Sequence, residues 1–479
     1  MSQKKLVPFQ ELDFCLPVQR FRIEYSLIER NDLSFVREFV LRLLYISAQG
    51  VEEIAKFFGF TGKEVKVALA DLLDKGDIGY LPDGRVHLTA KSRAYFESGS
   101  EERPQINKIV DDRRSFHFDL LSFNYVSSDV RSSDGRMSFR LQADSESRTN
   151  SEERARKAFQ DRFYEIYDSG DIKPVDSGKS ERPDIYKISD VYKQREAVFR
   201  FSHTFYIDPE TSATERSELN YLKDQERIIA EVTSVLDQAR QGDNIRSIAA
   251  AADRYADTLA LSALSVDGLN IADLLIEQAI AKDKVEDRQF FFGSLTLQRN
   301  WDKVNHLLKM HKERIKSAGK DSLPELLWLA PSNNFWGKTE RIKACLSDIV
   351  SSEKYSKKDG ERILEAKILL PLDGKDDHKG KRFWLTEFSQ YRNYLHGFVP
   401  SLYGGDVEII CLSDCFAVIT YHLFQPGRFQ LPVPFGFMTE NKRLVQQIEQ
   451  DVASSLSEYT SDLTKRYLGK LEEKQARNR

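Results

Sequence analysis

The stretch Gly405–Tyr421, GDVEIICLSDCFAVITY, decides how the C-terminal half of this 479-residue chain is read. Two apolar runs, Ile409–Leu412 and Phe416–Ile419, flank the polar break Ser413-Asp414. They predict two buried strands joined by a tight turn. Ahead of the first run, Asp406 and Glu408 alternate with Val407, and period-two geometry puts both carboxylates on one strand face. Working outward, QFFFGSLTL (289–297), ELLWLAPSNNF (325–335) and AKILLPLDG (366–374) are strand candidates. KTERIKACLSDIVSS (338–352) has the apolar stripe of an amphipathic helix, and GKDDHKGKRF (374–383) reads as a charged loop. PFGFMTENKRLVQQIEQDV (434–452) reads as a closing strand and helix. Strand, helix, strand, paired strands and a final helix suggest a mixed α/β sandwich over 289–460.

Composition bounds the rest. The chain is long enough for several domains and a large core. Hydrophobic content of 41% against 30% charged residues is that of a globular protein. A net charge of −4 supplies no global field toward nucleic acid or anionic lipid, so such binding needs a local patch. Four scattered cysteines, Cys15, Cys345, Cys411 and Cys415, form no CxxC pair, which predicts a reducing compartment and no zinc site. The opening MSQKKLVPFQELDF lacks the apolar core of a signal peptide, and no window suits a membrane span, so the expected location is the cytoplasm.

Residues 33–98 form the clearest local unit. LSFVREFVLRLLYISAQG carries Phe35, Val36, Phe39, Val40, Leu43 and Leu44 at helical spacing. VEEIAKFFGF follows as a short helix with Ile54, Phe57 and Phe58 inward. Thr61 stands three residues before Glu64, a capping box that opens a third helix with Val65, Leu69, Leu72 and Leu73 inward. Gly76 stops it, and IGYL and RVHLT flank Pro82-Asp83-Gly84 as a hairpin. Another helix begins at AKSRAYF. This arrangement resembles a winged helix, giving a first domain over 1–104 with an N-terminal arm. Its cations Lys63, Lys66, Arg85, Lys91 and Arg93 are the candidate nucleic-acid contacts. They are offset by Glu64, Asp71 and Asp74. The third helix has no Arg, Asn or Gln between Gly62 and Lys75 to read base edges, which favours backbone contact or a protein-binding role over sequence-specific repression.

In 105–215, FHFDLLSFNYV and AVFRFSHTFYI alternate as strands, and RARKAFQDRFYEIYDSG reads as a helix between them. The polar stretches SSDVRSSDGR, SESRTNSEERAR and DSGKSERPD read as exposed loops. This is a small α+β domain with insertions. Residues 216–288 read as a helical connector and 461–479 as an exposed basic tail. The fold class is thus α/β and α+β multidomain.

With these residues in view, the C-terminal region resembles the phospholipase D-like family, whose strand reads His-x-Lys, four residues, Asp. The matching positions here are Asp406, Glu408 and Ser413. The family needs an imidazole to attack phosphorus and a lysine to hold the phosphate oxygens. Two carboxylates in those places would repel a phosphate. The resemblance therefore implies a degenerate, inactive motif, with no catalytic residue, metal ligand or cofactor to assign. The plainer expectation for Asp406 and Glu408 is solvation or pairing with nearby Arg or Lys. A rebuilt metal site on the two, with Lys367 nearby, is the competing reading. His117, His203, His311, His396 and His422 fit no spacing for catalysis and read as ordinary surface or structural histidines.

These readings lead to a non-catalytic, nucleic-acid-associated or adaptor subunit. The alternatives are a metal-dependent nuclease and a winged-helix transcriptional regulator. The resemblance implies a prokaryotic setting such as phage defence, with DNA, a helicase or nuclease, or a second copy of the chain as partners, and no membrane.

Overall fold

The computed structural model describes residues 6–32, 34–97, 105–127, 130–131, 137–172, 182–217, 226–265, 268–281, 287–318, 323–355, 362–371, 378–398 and 402–460. Over these the chain is a mixed α/β protein that divides into two compact units: Met1–Val18, Asp129–Asp144 and Ala197–Arg479 in one, Gln19–Ser128 and Ser145–Glu196 in the other. Two of the divisions fall inside long strands, Val7–Asp32 and Asp184–Ile207. The expected basic tail at 461–479 lies outside the described residues, as do 132–136 and 173–181 of the expected polar loops.

In the unit that contains residues 34–97, helices Phe35–Ile46, Val51–Phe58 and Gly62–Asp74 precede a two-stranded hairpin, Ile78–Tyr80 with Val86–Leu88, and a helix at Ala90–Glu97. The capping box is formed: Thr61 N–H donates to Glu64 at 2.8 Å, and Glu64 N–H donates to the Thr61 hydroxyl at 3.3 Å. The core is built from Val40, Leu41, Leu44, Ile54, Val65, Leu69 and Leu72, closed by Ile78, Val86 and Leu88. The apolar stripes are narrower than the sequence suggests. Phe35 is 73% exposed and Phe57 68%, and Val36, Phe39 and Leu73 are also exposed. The first helix packs its inner face on the third helix and the strand Val86–Leu88, and its Tyr45 stacks on Phe96 at 4.2 Å, while Phe35 and Phe39 pair with each other on the exposed face. A buried hub closes the unit: the fully buried Asp77 accepts from Arg37 Nε at 2.8 Å and from the Tyr95 hydroxyl at 3.1 Å.

Two local expectations are corrected in the same unit. FHFDLLSFNYV is strand only to Asp119. The buried Asp119 carboxylate then accepts from the backbone N–H of Leu121, Ser122 and Asn124 at 2.6–2.9 Å, which folds the chain into a turn despite its apolar residues. SESRTNSEERAR, expected as a loop, forms helices Ser145–Thr149 and Ser151–Asp161. Ala155, Ala158 and Phe159 give the second helix a buried face, and Glu152 and Glu153 lie favourably in its first turn.

The other unit holds a seven-stranded sheet in the spatial order Arg288–Phe292, Val433–Thr439, Phe416–Leu423, Val407–Leu412, Glu325–Leu329, Glu365–Leu370, Leu395–Phe398. The last three are parallel to one another, and the remaining neighbours are antiparallel. Helix Arg341–Ser352 crosses between the first two parallel strands. The three central strands from 407 to 439 are buried at every residue, which explains their nearly unbroken apolar sequence. Gly436 sits where a Cβ would come within 1.9 Å of the Ile419 carbonyl oxygen, so the ladder requires glycine there. GKDDHKGKRF is corrected in part: His378–Glu387 is a helix, anchored in the sheet's core by its Trp384 and by Phe388 just after it.

Candidate active site and adjoining cleft

The three positions singled out by the sequence resemblance, Asp406, Glu408 and Ser413, are not brought together. Asp406 precedes the strand Val407–Leu412, and Ser413 follows it in the turn, where its N–H donates to the Glu325 carbonyl at 2.9 Å. At ~3.3 Å per residue the strand holds them roughly 20 Å apart. Asp406 lies outside the regular strand, so the expected shared face with Glu408 is not made by strand geometry.

Glu408 is 2% exposed and, among the described residues, pairs with His422 and with no Arg or Lys, contrary to the expectation of solvation or a cationic partner. Its Oε1 accepts from the indole N–H of Trp328 and of Trp336, each at 2.9 Å. Oε2 lies within hydrogen-bonding distance, 3.1 Å, of His422 Nε2. Register explains the convergence. Glu408 stands opposite Thr420, so His422, two residues on, shares its face. Trp328 stands opposite Ile410, two residues from Glu408, on that face too. All four tryptophans of the protein form a chain here: Trp301 stacks on Trp328 at 5.5 Å, Trp328 meets Trp336 edge-on at 5.9 Å, and Trp336 meets Trp384 at 5.7 Å.

The chemistry open to this cluster is limited. Carboxylate and imidazole satisfy each other inside a core, and among the described residues no hydroxyl or thiol nucleophile is hydrogen-bonded to His422. Burial pushes the thiols of Cys345 and Cys411 well up, which holds them protonated and unreactive. Among the described residues no group of three or more His, Cys, Asp or Glu could hold a metal ion. Lys367, named as a companion of such a site, is paired with Glu325 and Glu365.

Trp336 also forms a wall of a cleft of about 430 Å³ at the carboxyl ends of the parallel strands Glu325–Leu329 and Glu365–Leu370. In open α/β sheets this is where ligands bind. Its lining comes from residues after both strands, including Asn333, Trp336, Lys338 and Pro371, together with Phe139, Arg140, Phe383 and Trp384. The turn carrying Lys338 is pinned: Asp13 N–H donates to the Lys338 carbonyl at 2.8 Å, and Glu340 N–H donates to the Asp13 carboxylate at 2.8 Å. Asp13 is itself held by Arg200 in a buried ion pair at 2.5 Å. Close by, Gly405 (φ +96°) lets the backbone approach, since a Cβ there would come within 2.5 Å of the Ser332 Cβ.

The candidate nucleic-acid residues fall into two kinds. Lys63, Lys66 and Arg93 are exposed and make no ion pair among the described residues. Arg85 is drawn to Asp83 at 2.7 Å. Lys91 donates to the Lys75 carbonyl at 2.6 Å and lies 3.7 Å from Asp77. Sequence reasoning missed His422, Trp328, Trp336 and Lys338. Only the strand parity of His422 relative to Glu408 was there to find, and using it requires the register.

No protein-family model matches the chain, and no curated protein matches it. Among solved structures, TrmBL2, an archaeal chromatin protein described as showing a novel mode of DNA binding, matches at 10% identity with a TM-score of 0.22, over 53% of this chain and 75% of that one. A likeness that loose carries no argument about fold or function. Among the described residues no helix is long and apolar enough to cross a membrane.

Proposed function

We propose that this protein is a non-catalytic, nucleic-acid-associated adaptor, with a winged helix within 1–104 and a phospholipase D-like domain over 289–460 that has given up phosphodiester chemistry. The α+β segment 105–215 and helical segment 216–288 lie between them. The observation that supports the loss of chemistry is Glu408. It occupies the place of the family's phosphate-binding lysine, yet it is buried and fully engaged by two indoles and His422. Such a carboxylate neither binds phosphate nor opens to a metal. Nucleic-acid contact falls to Lys63, Lys66 and Arg93, with Arg85 and Lys91 partly committed elsewhere. A helicase, a nuclease or a second copy of the chain is the protein partner this reading expects, in the cytoplasm of a prokaryote.

The test is a titration of the purified chain against labelled duplex and single-stranded DNA at two salt concentrations, with and without Mg²⁺. Salt-sensitive binding without cleavage is the expected result. Mg²⁺-dependent cleavage abolished by Asp406→Ala would overturn it in favour of a nuclease. A strongly preferred site from randomised DNA would favour a transcriptional regulator.

A further inference from the structure

We propose that the cleft beside Trp336 binds a small anion carrying a planar ring, of about the size of a nucleoside monophosphate. The cleft volume of about 430 Å³ lies in the range of small-ligand sites. Among the described residues its lining includes Lys338 and Arg140 and no Asp or Glu. The Lys338 ammonium lies 5.5 Å from the ring centroids of both Phe139 and Phe383 and meets no carboxylate within ion-pair distance among the described residues. Burial lowers its pKa, with Glu387 acting in the other direction, so the site carries a partly desolvated cation that an incoming anion would satisfy. Flat apolar surface for a ring comes from Trp336, Phe383 and Trp384.

The motif strand takes part at one remove. Glu408 holds the Trp336 indole N–H from behind, which makes Glu408 a positioning residue for the cleft wall. The asparagine at the turn works in the same way: Asn333 Oδ1 accepts from the N–H of Phe335 at 3.0 Å and of Trp336 at 2.7 Å, fixing the segment between the ring and Lys338. This inference is independent of DNA binding, because none of its residues belongs to the candidate nucleic-acid set.

The experiment titrates the full chain, by calorimetry and by tryptophan emission, with the four ribonucleoside 5′-monophosphates, an aromatic carboxylate, free phosphate and the nucleosides. At least one ring-bearing anion should bind saturably at one site and change the emission of the tryptophan chain. Free phosphate and the uncharged nucleosides should each bind at least about tenfold more weakly. Lys338→Met should weaken binding by about tenfold or more, as expected for loss of a charge-assisted contact. Phosphate and carboxylate arms identify which anion the site prefers. If Lys338→Met does not fold, Phe383→Leu carries the test, with weakening of ring-bearing ligands and little change for free phosphate. Absence of binding by every ring-bearing anion up to about 1 mM, or affinity unchanged in folded variants of both residues, overturns the proposal.

Discussion

Trp336 and Glu408 are joined by a 2.9 Å hydrogen bond across 72 residues of sequence, and that bond ties the wall of the cleft to the central strand of the sheet. The same carboxylate oxygen holds Trp328 at 2.9 Å, so one buried acceptor orders two adjoining indoles. An acceptor placed there is structurally committed, because each indole has a single N–H and no other polar atom to offer.

Removing that acceptor should be costly. Glu408→Leu leaves two indole N–H groups and the His422 imidazole without their partner, at about 1–3 kcal/mol for each stranded donor. The expected outcome in urea denaturation is a lower midpoint together with altered tryptophan emission. A wild-type midpoint and spectrum would show that the cluster is not held by Glu408.

Acid should destabilise the protein through His203. The ring is buried among Phe14, Phe201 and Phe205, and burial, with Arg216 next in effect, lowers its pKa to about 4. The folded-state pKa lies below the unfolded one, so between about pH 6.5 and 4 the unfolded chain takes up the proton and stability falls as pH falls. Melting temperatures from pH 7 to 4.5 should decline more steeply for the wild type than for His203→Phe. Parallel profiles would remove His203 as a cause.

Asp77→Ala should unfold the 34–97 region preferentially. It leaves Arg37 and the Tyr95 hydroxyl without the carboxylate at the centre of their network, a loss of about 3–5 kcal/mol for a broken buried pair. Hydrogen exchange should show lost protection over residues 35–97. Unchanged protection would mean that the apolar core of Val40, Leu69 and Val86 carries the unit alone.

If the hairpin unit contacts DNA, Lys63→Ala with Lys66→Ala should reduce the salt slope of binding by about 2, the release of one counterion per lost phosphate contact. Arg85→Ala and Lys91→Ala should change it less, since both cations are already engaged, Arg85 by Asp83 and Lys91 by Asp77 and a backbone carbonyl. An equal slope in the wild type and the double variant would dismiss that helix as the contact surface.

Gly436→Ala should lower stability by about 1–3 kcal/mol or more, because the new methyl meets the Ile419 carbonyl across the ladder. Thermal denaturation checks this. A wild-type melting temperature would show that the two strands can separate at no cost.

Local pattern sufficed where neighbours in sequence are neighbours in space. The Thr61–Glu64 capping box, the hairpin around Asp83-Gly84 and the buried strands Val407–Leu412 and Phe416–Leu423 were legible because helix caps, turns and apolar runs act within a few residues. The long strand Val7–Asp32 was missed, and the turn at Asp119 was read as strand, because a single buried carboxylate overrode the local alternation. The outer faces of the helix Phe35–Ile46 were read as core, since periodicity identifies an apolar face without saying what covers it.

The sequence by itself determined that Asp406 and Glu408 flank Val407 at the head of an apolar strand, Val407–Leu412. What Glu408 does was decided only by tertiary structure. Strand register brings Trp328 and His422 to its face, and the turn after Glu325–Leu329 delivers Trp336. Hydrogen bonds between residues 14 to 80 positions apart depend on pairing and packing that no local pattern encodes. The physical reason is that a carboxylate has the same sequence signature in water and in a core, and its partners alone distinguish the two.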